Sequence, residues 1–381
     1  MDFNLSEEQA AIAEMALSFA AEELAPFALA WDRDKHFPVE TLRRAGGLGM
    51  GGLYVREESG GAGLGRLESV LAIEALATGC PSIAAYVSIH NMCAWMVDRF
   101  GNDEQRGRWL PGMVAMERLG SYCLTEAGSG SDAAALRTRA VRDGDHYVVT
   151  GQKQFISGAG AAGVYVVMAR TGGEGPKGIS ALLVDADTPG LSFGANEHKM
   201  GWNAQPTRAV MLDGARIPAA NRLGLEGDGF RIAMAGLDGG RLNIAAASLG
   251  GAQAAFDKAV SYMGERRAFG HALLDFQALQ FRLADMAAAL EVARTFLWRA
   301  AAALQAGSPD ATRLCAMAKL TITDRCFDVA NQALQLHGGY GYLTEYGVEK
   351  IVRDLRVHQI LEGTNEIMRM IVARPLVSGA A

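Results

Sequence analysis

The chain has 381 residues, half of them apolar and a fifth charged, a composition typical of soluble globular proteins with two or three domains. The formal net charge of -6 disfavours nucleic acid as the main partner, because neutralising phosphate groups requires a basic face. Attachment to a membrane surface is disfavoured for a similar reason, and no apolar run reaches the roughly 18 residues of a membrane span.

The cysteines and histidines indicate neither disulfides nor a metal site. Five scattered cysteines without a CxxC pair are typical of free thiols in a reducing compartment. The seven histidines show no HxxxH or HExxH spacing, so no metal is expected. The first residues resemble neither a signal peptide nor an arginine-rich presequence. These features predict a cytoplasmic protein, or an already processed mitochondrial matrix protein if the source is eukaryotic.

Residues 1–118 are predicted to form an N-terminal all-α domain. Ser6 and Gln9 fit a capping box at the start of the first helix. Apolar residues recur at helical spacing over residues 68–78 and 83–100, and the glycine-rich stretch at 59–65 is a predicted loop.

Residues 119–228 are predicted to form a middle β domain. Residues 141–150 read as two strands joined by a turn at Asp143 and Gly144. Short strands without helices between them predict an antiparallel sheet or barrel. A GxGxxG match at residues 158–163 precedes another strand instead of a helix, so it indicates a turn and not a nucleotide-binding fingerprint. Further β-like runs lie at residues 152–156, 164–168, 179–184 and 208–212.

Residues 229–381 are predicted to be helical again, with long helices over 230–265, 277–306 and 309–336. Alanine runs such as residues 245–247 permit close helix packing, as in a four-helix bundle. The predicted fold class is therefore α+β, with an all-α domain, an antiparallel β domain and a C-terminal four-helix bundle in that order.

Two stretches suggest a cofactor platform and a base. Residues 122–132 combine glycines and hydroxyls at the end of a predicted strand, where backbone amides can approach a flat cofactor closely. Phe155 and Ser157 end a neighbouring strand and could line the same cofactor. Residues 360–367 place Glu362 between an apolar run and a glycine, where partial desolvation would make a carboxylate more basic. Since most helical glutamates are exposed, this second pattern alone is weak evidence for a base.

Further stretches are open to two interpretations each. Residues 337–341, HGGYG, are either a helix stop or a close approach to phosphate or adenine. Two glycines at residues 238–241, DGGR, cost roughly 1 kcal/mol each inside a helix, so a packing or ligand reason is expected. Arg266 and Arg267 are either a solvated pair or a pyrophosphate contact.

The motifs YCLTEAGSGSD, FIS, LDGGR, RRAFG, HGGYG and LEGTNEI follow one another in this order, and with them the chain resembles the acyl-CoA dehydrogenase family over essentially its whole length. Residues 176–179, 200–208 and 357–363 are most similar to members that act on isobutyryl-CoA. Some positions depart from the family pattern: Ala127 replaces a frequent proline and Phe155 a frequent tryptophan. Gly240 stands where isovaleryl-type relatives carry the base, and this supports Glu362 as the base.

The resemblance implies FAD bound between the β domain and the C-terminal bundle. The residues that match the family's FAD contacts are Tyr122, Cys123, Leu124, Thr125, Gly130, Ser131, Phe155, Ile156, Ser157, Arg266, Phe276, Gln277, Gln335, Leu336, His337, Gly338, Gly339, Thr364, Asn365 and Glu366. The residues that match acyl-CoA contacts are Ser131, Asp238, Gly239, Gly240, Arg241 and Arg374. Some contacts to phosphate and adenine would come from a neighbouring subunit of a homotetramer, a dimer of dimers.

The resemblance also implies a reaction. Glu362 would be the catalytic base that takes the α-proton of the thioester, while the β-hydrogen leaves as hydride to the flavin. Electrons would then pass to an electron-transferring flavoprotein. The expected reaction converts isobutyryl-CoA to methacrylyl-CoA in valine catabolism, and Leu361, where many relatives have tyrosine, fits a short branched substrate. Alternatives within the class are a 2-methylbutyryl-CoA or straight short-chain acyl-CoA dehydrogenase, or an acyl-CoA oxidase that forms peroxide.

Alternatives from other classes are a DNA-binding flavoprotein of the same fold and a purely structural helical protein. The acidic charge and the presence of Glu362 argue against the first. Purification without yellow colour would support the second.

Overall fold

A computed structural model describes residues 4–377. The N-terminal section is helical, and its first helix begins with the predicted capping box: Gln9 N donates to Ser6 Oγ at 3.2 Å and Ser6 N to Gln9 Oε1 at 3.0 Å. A π-helical turn at Ala20–Leu24 continues that helix. The helices are α1 (Glu7–Phe19), α2 (Ala28–Asp34), α3 (Val39–Gly47), α4 (Arg66–Gly79), α5 (Pro81–Phe100) and α6 (Asp103–Val114).

The middle section is an eight-stranded sheet with the order β6-β7-β3-β2-β4-β5-β8, and β1 joins it at β4. Its strands are β1 (Gly120–Cys123), β2 (Arg139–Asp143), β3 (His146–Ser157), β4 (Val164–Arg170), β5 (Ile179–Asp185), β6 (Leu191–Phe193), β7 (Thr207–Pro218) and β8 (Arg222–Leu223). The run at residues 152–156, expected as a separate strand, is the second half of β3, whose pairing register with β7 shifts near Gly151.

The sheet is mostly antiparallel, as expected, with one exception that the sequence did not indicate. Strand β1 runs parallel to β4, with Gly120 opposite Val164, and β2 also meets β4 in parallel. Parallel neighbours need a crossover connection. The β2–β3 hairpin forms part of that connection, since it lies between β1 and β4 in the chain.

The C-terminal section consists of α7 (Gly229–Glu265), a short pair of strands β9 (Arg267–Ala268) and β10 (His271–Ala272), α8 (Gln277–Gln305), α9 (Ala311–Leu336), α10 (Val348–Arg356) and α11 (Asn365–Val377). Helices α7, α8 and α9 pack on one another, α11 packs on α9, and α4 packs on α7. Small residues permit this packing: a Cβ added at Gly250 of α7 would lie 1.9 Å from the Glu74 carbonyl oxygen of α4. Within residues 4–377 no helix is both long and apolar enough to cross a bilayer.

Candidate active site

A cavity of about 580 Å³ opens where α5, α7, the ends of β1 and β3, and residues 361–374 meet. Most of its wall is apolar, with Met92 of α5 and Met234 and Leu237 of α7 among the lining side chains. The predicted site residues on its lining are Tyr122, Leu124, Thr125, Gly130, Ser131, Phe155, Ile156, Ser157, Asp238, Arg241, Glu362 and Arg374. One cavity therefore brings together residues that are far apart in the chain.

Glu362 lies in the turn that precedes α11. Both Glu362 (φ 54°) and Gly363 (φ 88°) have left-handed backbone conformations, an arrangement that costs energy at the glutamate. Its Oε2 atom is buried and has no hydrogen-bond partner among the described residues. Burial raises the pKa of Glu362 to about 7, although the positive charges of Arg241 and Lys319 oppose the rise. The carboxyl is thus available as a base near neutral pH.

Packing explains the adjacent glycines Gly239 and Gly240 of α7. A Cβ at Gly240 would lie 2.2 Å from Glu362 Oε2, so the glycine leaves the room that the carboxyl occupies. A Cβ at Gly239 would lie 2.5 Å from Nη1 of Arg66, which stacks over the Tyr54 ring at 4.0 Å. Neither glycine borders the cavity itself; both give space to the side chains around it.

Lys319 of α9 is a functional candidate that the sequence analysis missed. It is fully buried, and its Nζ donates to the Gly363 carbonyl oxygen and to Asn365 Oδ1, both at 2.8 Å. Asn365 in turn donates to Asp324 Oδ1 at 2.7 Å, so the side chain of this predicted cofactor residue is engaged in the network. Burial lowers the pKa of Lys319 to about 8. A single lysine inside the apolar run of residues 314–322 was the signal that could have revealed it.

A second cavity of about 590 Å³ shares Thr125, Ser131, Phe155, Ser157 and Glu362 with the first, and it extends to Thr364. Phe155 is 63% exposed and has a φ of 59°, so its ring faces the cavity instead of packing in the core. An exposed aromatic ring beside hydroxyl groups fits a flat, hydrogen-bonding cofactor such as a flavin. A Cβ at Gly130 would meet no atom of residues 4–377 within 4 Å, which leaves the backbone open to a ligand at this point.

A buried ion pair supports this platform. Lys153 Nζ lies 2.8 Å from Glu126 Oε1 and donates to the Leu124 carbonyl oxygen at 3.1 Å. Glu126 also accepts hydrogen bonds from the backbone N–H groups of Arg137 and Thr138. Cys123, predicted to contact the cofactor, is fully buried and lies outside the linings of both cavities.

The remaining predicted residues lie away from these two cavities. A third cavity of about 590 Å³ shares no lining residue with the other two, and His337 stacks there on Tyr262 with centroids 4.5 Å apart. Phe276 and Gln277 lie outside all three cavities, with Phe276 edge-on to the 93% exposed Phe269. Glu366 is exposed on α11. The predicted residues that line the third cavity are Arg266, Gln335, Leu336, His337, Gly338 and Gly339.

Three family models cover nearly the whole chain: the N-terminal domain of acyl-CoA dehydrogenases matches residues 6–117, the middle domain 121–215 and the C-terminal domain 227–377. The chain belongs to the acyl-CoA dehydrogenase family. It is an FAD-dependent oxidoreductase that acts on the CH–CH group of an acyl-CoA, as the sequence analysis expected.

Individual relatives show which members of the family the chain is similar to. The chain is 57% identical to a mitochondrial isobutyryl-CoA dehydrogenase of Bos taurus, over 98% of this chain and 90% of the relative. It is 54% identical to the protein of that name from Dictyostelium discoideum, with the same coverage. The structure of butyryl-CoA dehydrogenase from Megasphaera elsdenii superposes with a TM-score of 0.96 at 38% identity, covering 99% of this chain and 100% of that one.

Proposed function

We propose that this protein converts isobutyryl-CoA to methacrylyl-CoA, with Glu362 as the catalytic base. The observation that carries the proposal is the Glu362 carboxyl at the junction of two cavities: its Oε2 atom is buried without a hydrogen-bond partner among residues 4–377, and burial raises its pKa to about 7. The higher identity to two isobutyryl-CoA dehydrogenases than to a butyryl-CoA dehydrogenase supports the branched substrate over a straight short chain.

The reaction requires a base with a suitable pKa that is shielded from water. Oxidation breaks one C–H bond at the α-carbon and one at the β-carbon and forms a double bond between them. The Glu362 carboxylate takes the α-proton, and its raised pKa makes it a stronger base than a solvated glutamate. Bound FAD supplies the acceptor for the hydride from the β-carbon. Gly240 leaves room for the carboxyl, and Lys319 holds the turn that carries it.

The polar end of the first cavity suits the CoA part of the substrate. Arg241 is 5% exposed and its Nη1 contacts Asp238 Oδ1 at 2.6 Å, while its Nε is buried without a hydrogen-bond partner in the described chain. Thr312 Oγ1 donates to the other Asp238 oxygen at 2.6 Å. Arg374 and Ser131 also line this cavity. We assign these groups to the acyl-CoA arm because they line the same cavity as Glu362 and supply it with charged and hydroxyl side chains.

The second cavity would hold the flavin, with Phe155 against the ring and the hydroxyls of Thr125 and Ser157 at its polar edge. The third cavity would receive the phosphate and adenine part of an FAD from a neighbouring subunit, together with Phe276 and Gln277. Its lining shares no residue with those of the first two cavities, which supports this division. The corresponding assembly is a homotetramer, a dimer of dimers, and the proposed electron acceptor is an electron-transferring flavoprotein.

The deciding experiment is anaerobic bleaching of the flavin near 450 nm by isobutyryl-, 2-methylbutyryl-, butyryl- and isovaleryl-CoA. Isobutyryl-CoA should bleach fastest. A Glu362→Gln variant should retain FAD and show no bleaching, because the amide cannot take a proton. Glu174→Gln, which changes an exposed glutamate of the β4–β5 loop, is the matched control.

Each result has a distinct meaning. Fastest bleaching by butyryl-CoA would mean that the preferred substrate is a straight chain and not a branched one, while the proposed mechanism would stand. Normal bleaching of Glu362→Gln would reject the base. Rapid peroxide formation in air, without an added acceptor, would make the protein an oxidase in place of a dehydrogenase.

A further inference from the structure

Trp202 stands where the two cavities around Glu362 meet. It lines both of them together with Leu361, yet only 5% of the residue is exposed. It lies in the connection between β6 and β7. The roles proposed above for Glu362 and for the cofactor platform do not include Trp202. A large apolar ring so placed bounds the space available beside the base.

Trp202 packs against residues of helices α5 and α7. Ala85 and Ile244 form a buried cluster with Trp202, and Ile89 and Leu361 pack against it. Ile244 lies four residues after Gly240, the residue next to the Glu362 carboxyl. One helical turn advances about 5.4 Å, so this wall closes the space roughly one turn beyond the base.

The backbone of Trp202 is held in a strained position. Its φ is 56°, a left-handed value that is rare for a bulky residue. Its N–H donates to Asp354 Oδ1 at 2.6 Å, and Asp354 forms a buried ion pair with Lys350 at 2.6 Å. The preceding Gly201 is packed on α10, where an added Cβ would lie 2.5 Å from the Arg353 carbonyl group. The main chain therefore has no room to shift toward α10.

The indole ring is held by a chain of hydrogen bonds. Trp202 Nε1 donates to His358 Nε2 at 3.2 Å, so this histidine nitrogen carries no proton. The other nitrogen, Nδ1, then donates to Ser248 Oγ at 2.7 Å, and Ser248 donates to the Ile244 carbonyl oxygen at 2.8 Å. His358 is fully buried, which lowers its pKa to about 3 and keeps it neutral. Rotation of the indole would leave a buried donor and acceptor unpaired.

We propose that Trp202 determines acyl-chain specificity by closing the end of the acyl cavity, and that His358 is the residue that positions it. The space beside Glu362 then accepts a four-carbon acyl group with a methyl branch, whereas a straight chain longer by two or more carbons meets the indole. This inference rests on the proposed function, because it concerns the acyl group of the same site.

The test is whether the preference for acyl-chain length changes when the Trp202 side chain is replaced by a smaller one. In Trp202→Leu the ratio of kcat/KM for hexanoyl-CoA to that for isobutyryl-CoA should rise at least about tenfold, the usual effect of admitting one or two methylenes to an apolar pocket. Trp202→Phe should shift the same ratio less, since most of the ring remains. The ratio of the association constants of hexanoyl-CoA and isobutyryl-CoA, measured by calorimetry in a Glu362→Gln background, should rise as well, without any turnover.

The positioning role has its own pair of variants. His358→Leu removes the acceptor of the indole N–H and should relax the preference in part. His358→Gln offers a carbonyl oxygen to the same N–H and should restore most of it. Both substitutions would disturb packing, but only glutamine can accept the hydrogen bond of the indole. A preference restored by glutamine would therefore show that His358 acts by positioning Trp202.

The outcomes separate the two claims. If none of the tested acyl-CoAs bleaches the flavin of the unsubstituted protein, the proposed function fails. If it bleaches and both ratios stay unchanged in Trp202→Leu and Trp202→Phe, the specificity role of Trp202 is rejected. If Trp202→Leu does not fold, the Trp202→Phe ratios decide alone, and an unchanged ratio in His358→Leu rejects the positioning role.

Discussion

The rate at which acyl-CoA reduces the flavin should follow the ionisation of Glu362. Only the carboxylate can take a proton, and burial raises the pKa of this group to about 7. Roughly a tenth of the carboxyl is ionised one pH unit below that value and roughly nine-tenths one unit above it. Between pH 6 and pH 8 we therefore expect kcat/KM to rise about tenfold. A solvated glutamate would show no change over this range.

The assay is anaerobic stopped-flow reduction at isobutyryl-CoA concentrations far below saturation, because kcat/KM reports the groups of the free enzyme. Lys319, whose pKa is lowered to about 8, loses its charge at the upper end of this range. Since that charge lowers the pKa of Glu362, its loss should broaden the rise without reversing it. The Glu174→Gln control should give the same profile as the unsubstituted protein.

Two results would refute this reasoning. A rate that is constant from pH 6 to pH 8 would mean that Glu362 ionisation does not control the reaction. A midpoint below about pH 5.5 would mean that water reaches the carboxyl and removes the effect of burial.

Three other substitutions test the surroundings of Glu362 and the buried ion pair that supports the cofactor platform. Lys319→Met should move the midpoint of the profile to higher pH, because it removes a positive charge that lowers the pKa of Glu362; a midpoint that stays in place would contradict this. Gly240→Ala should lower kcat more than about tenfold, since its Cβ would lie 2.2 Å from the Glu362 carboxyl, whereas Gly107→Ala in open space on α6 should have little effect. Lys153→Met should cost about 3 kcal/mol of unfolding free energy in urea, because its buried carboxylate partner loses its counter-charge; a loss below about 1 kcal/mol would show that water solvates the pair.

Local patterns in the sequence determined the order of helical, β and helical sections. Helical spacing of apolar residues, the Ser6 cap and the turn at Asp143 and Gly144 act within a few residues, so they can be read from the chain alone. For Glu362 the apolar lead-in and the following glycine were only a weak local signal, and the resemblance to the family singled the residue out. The individual roles of Glu362 and of the other site residues stay predictions, because their ligands are what would define them.

Only the tertiary structure decided what surrounds the base. Lys319 contacts a turn 44 residues later, and Trp202 meets His358 across 156 residues. The Gly240 backbone makes room for a carboxyl from another segment. Such contacts leave no periodic trace in the sequence, since each depends on how separate helices and strands pack. The local sequence thus specified the helices and strands, and packing between distant segments set the pKa of Glu362, its orientation and the wall beside it.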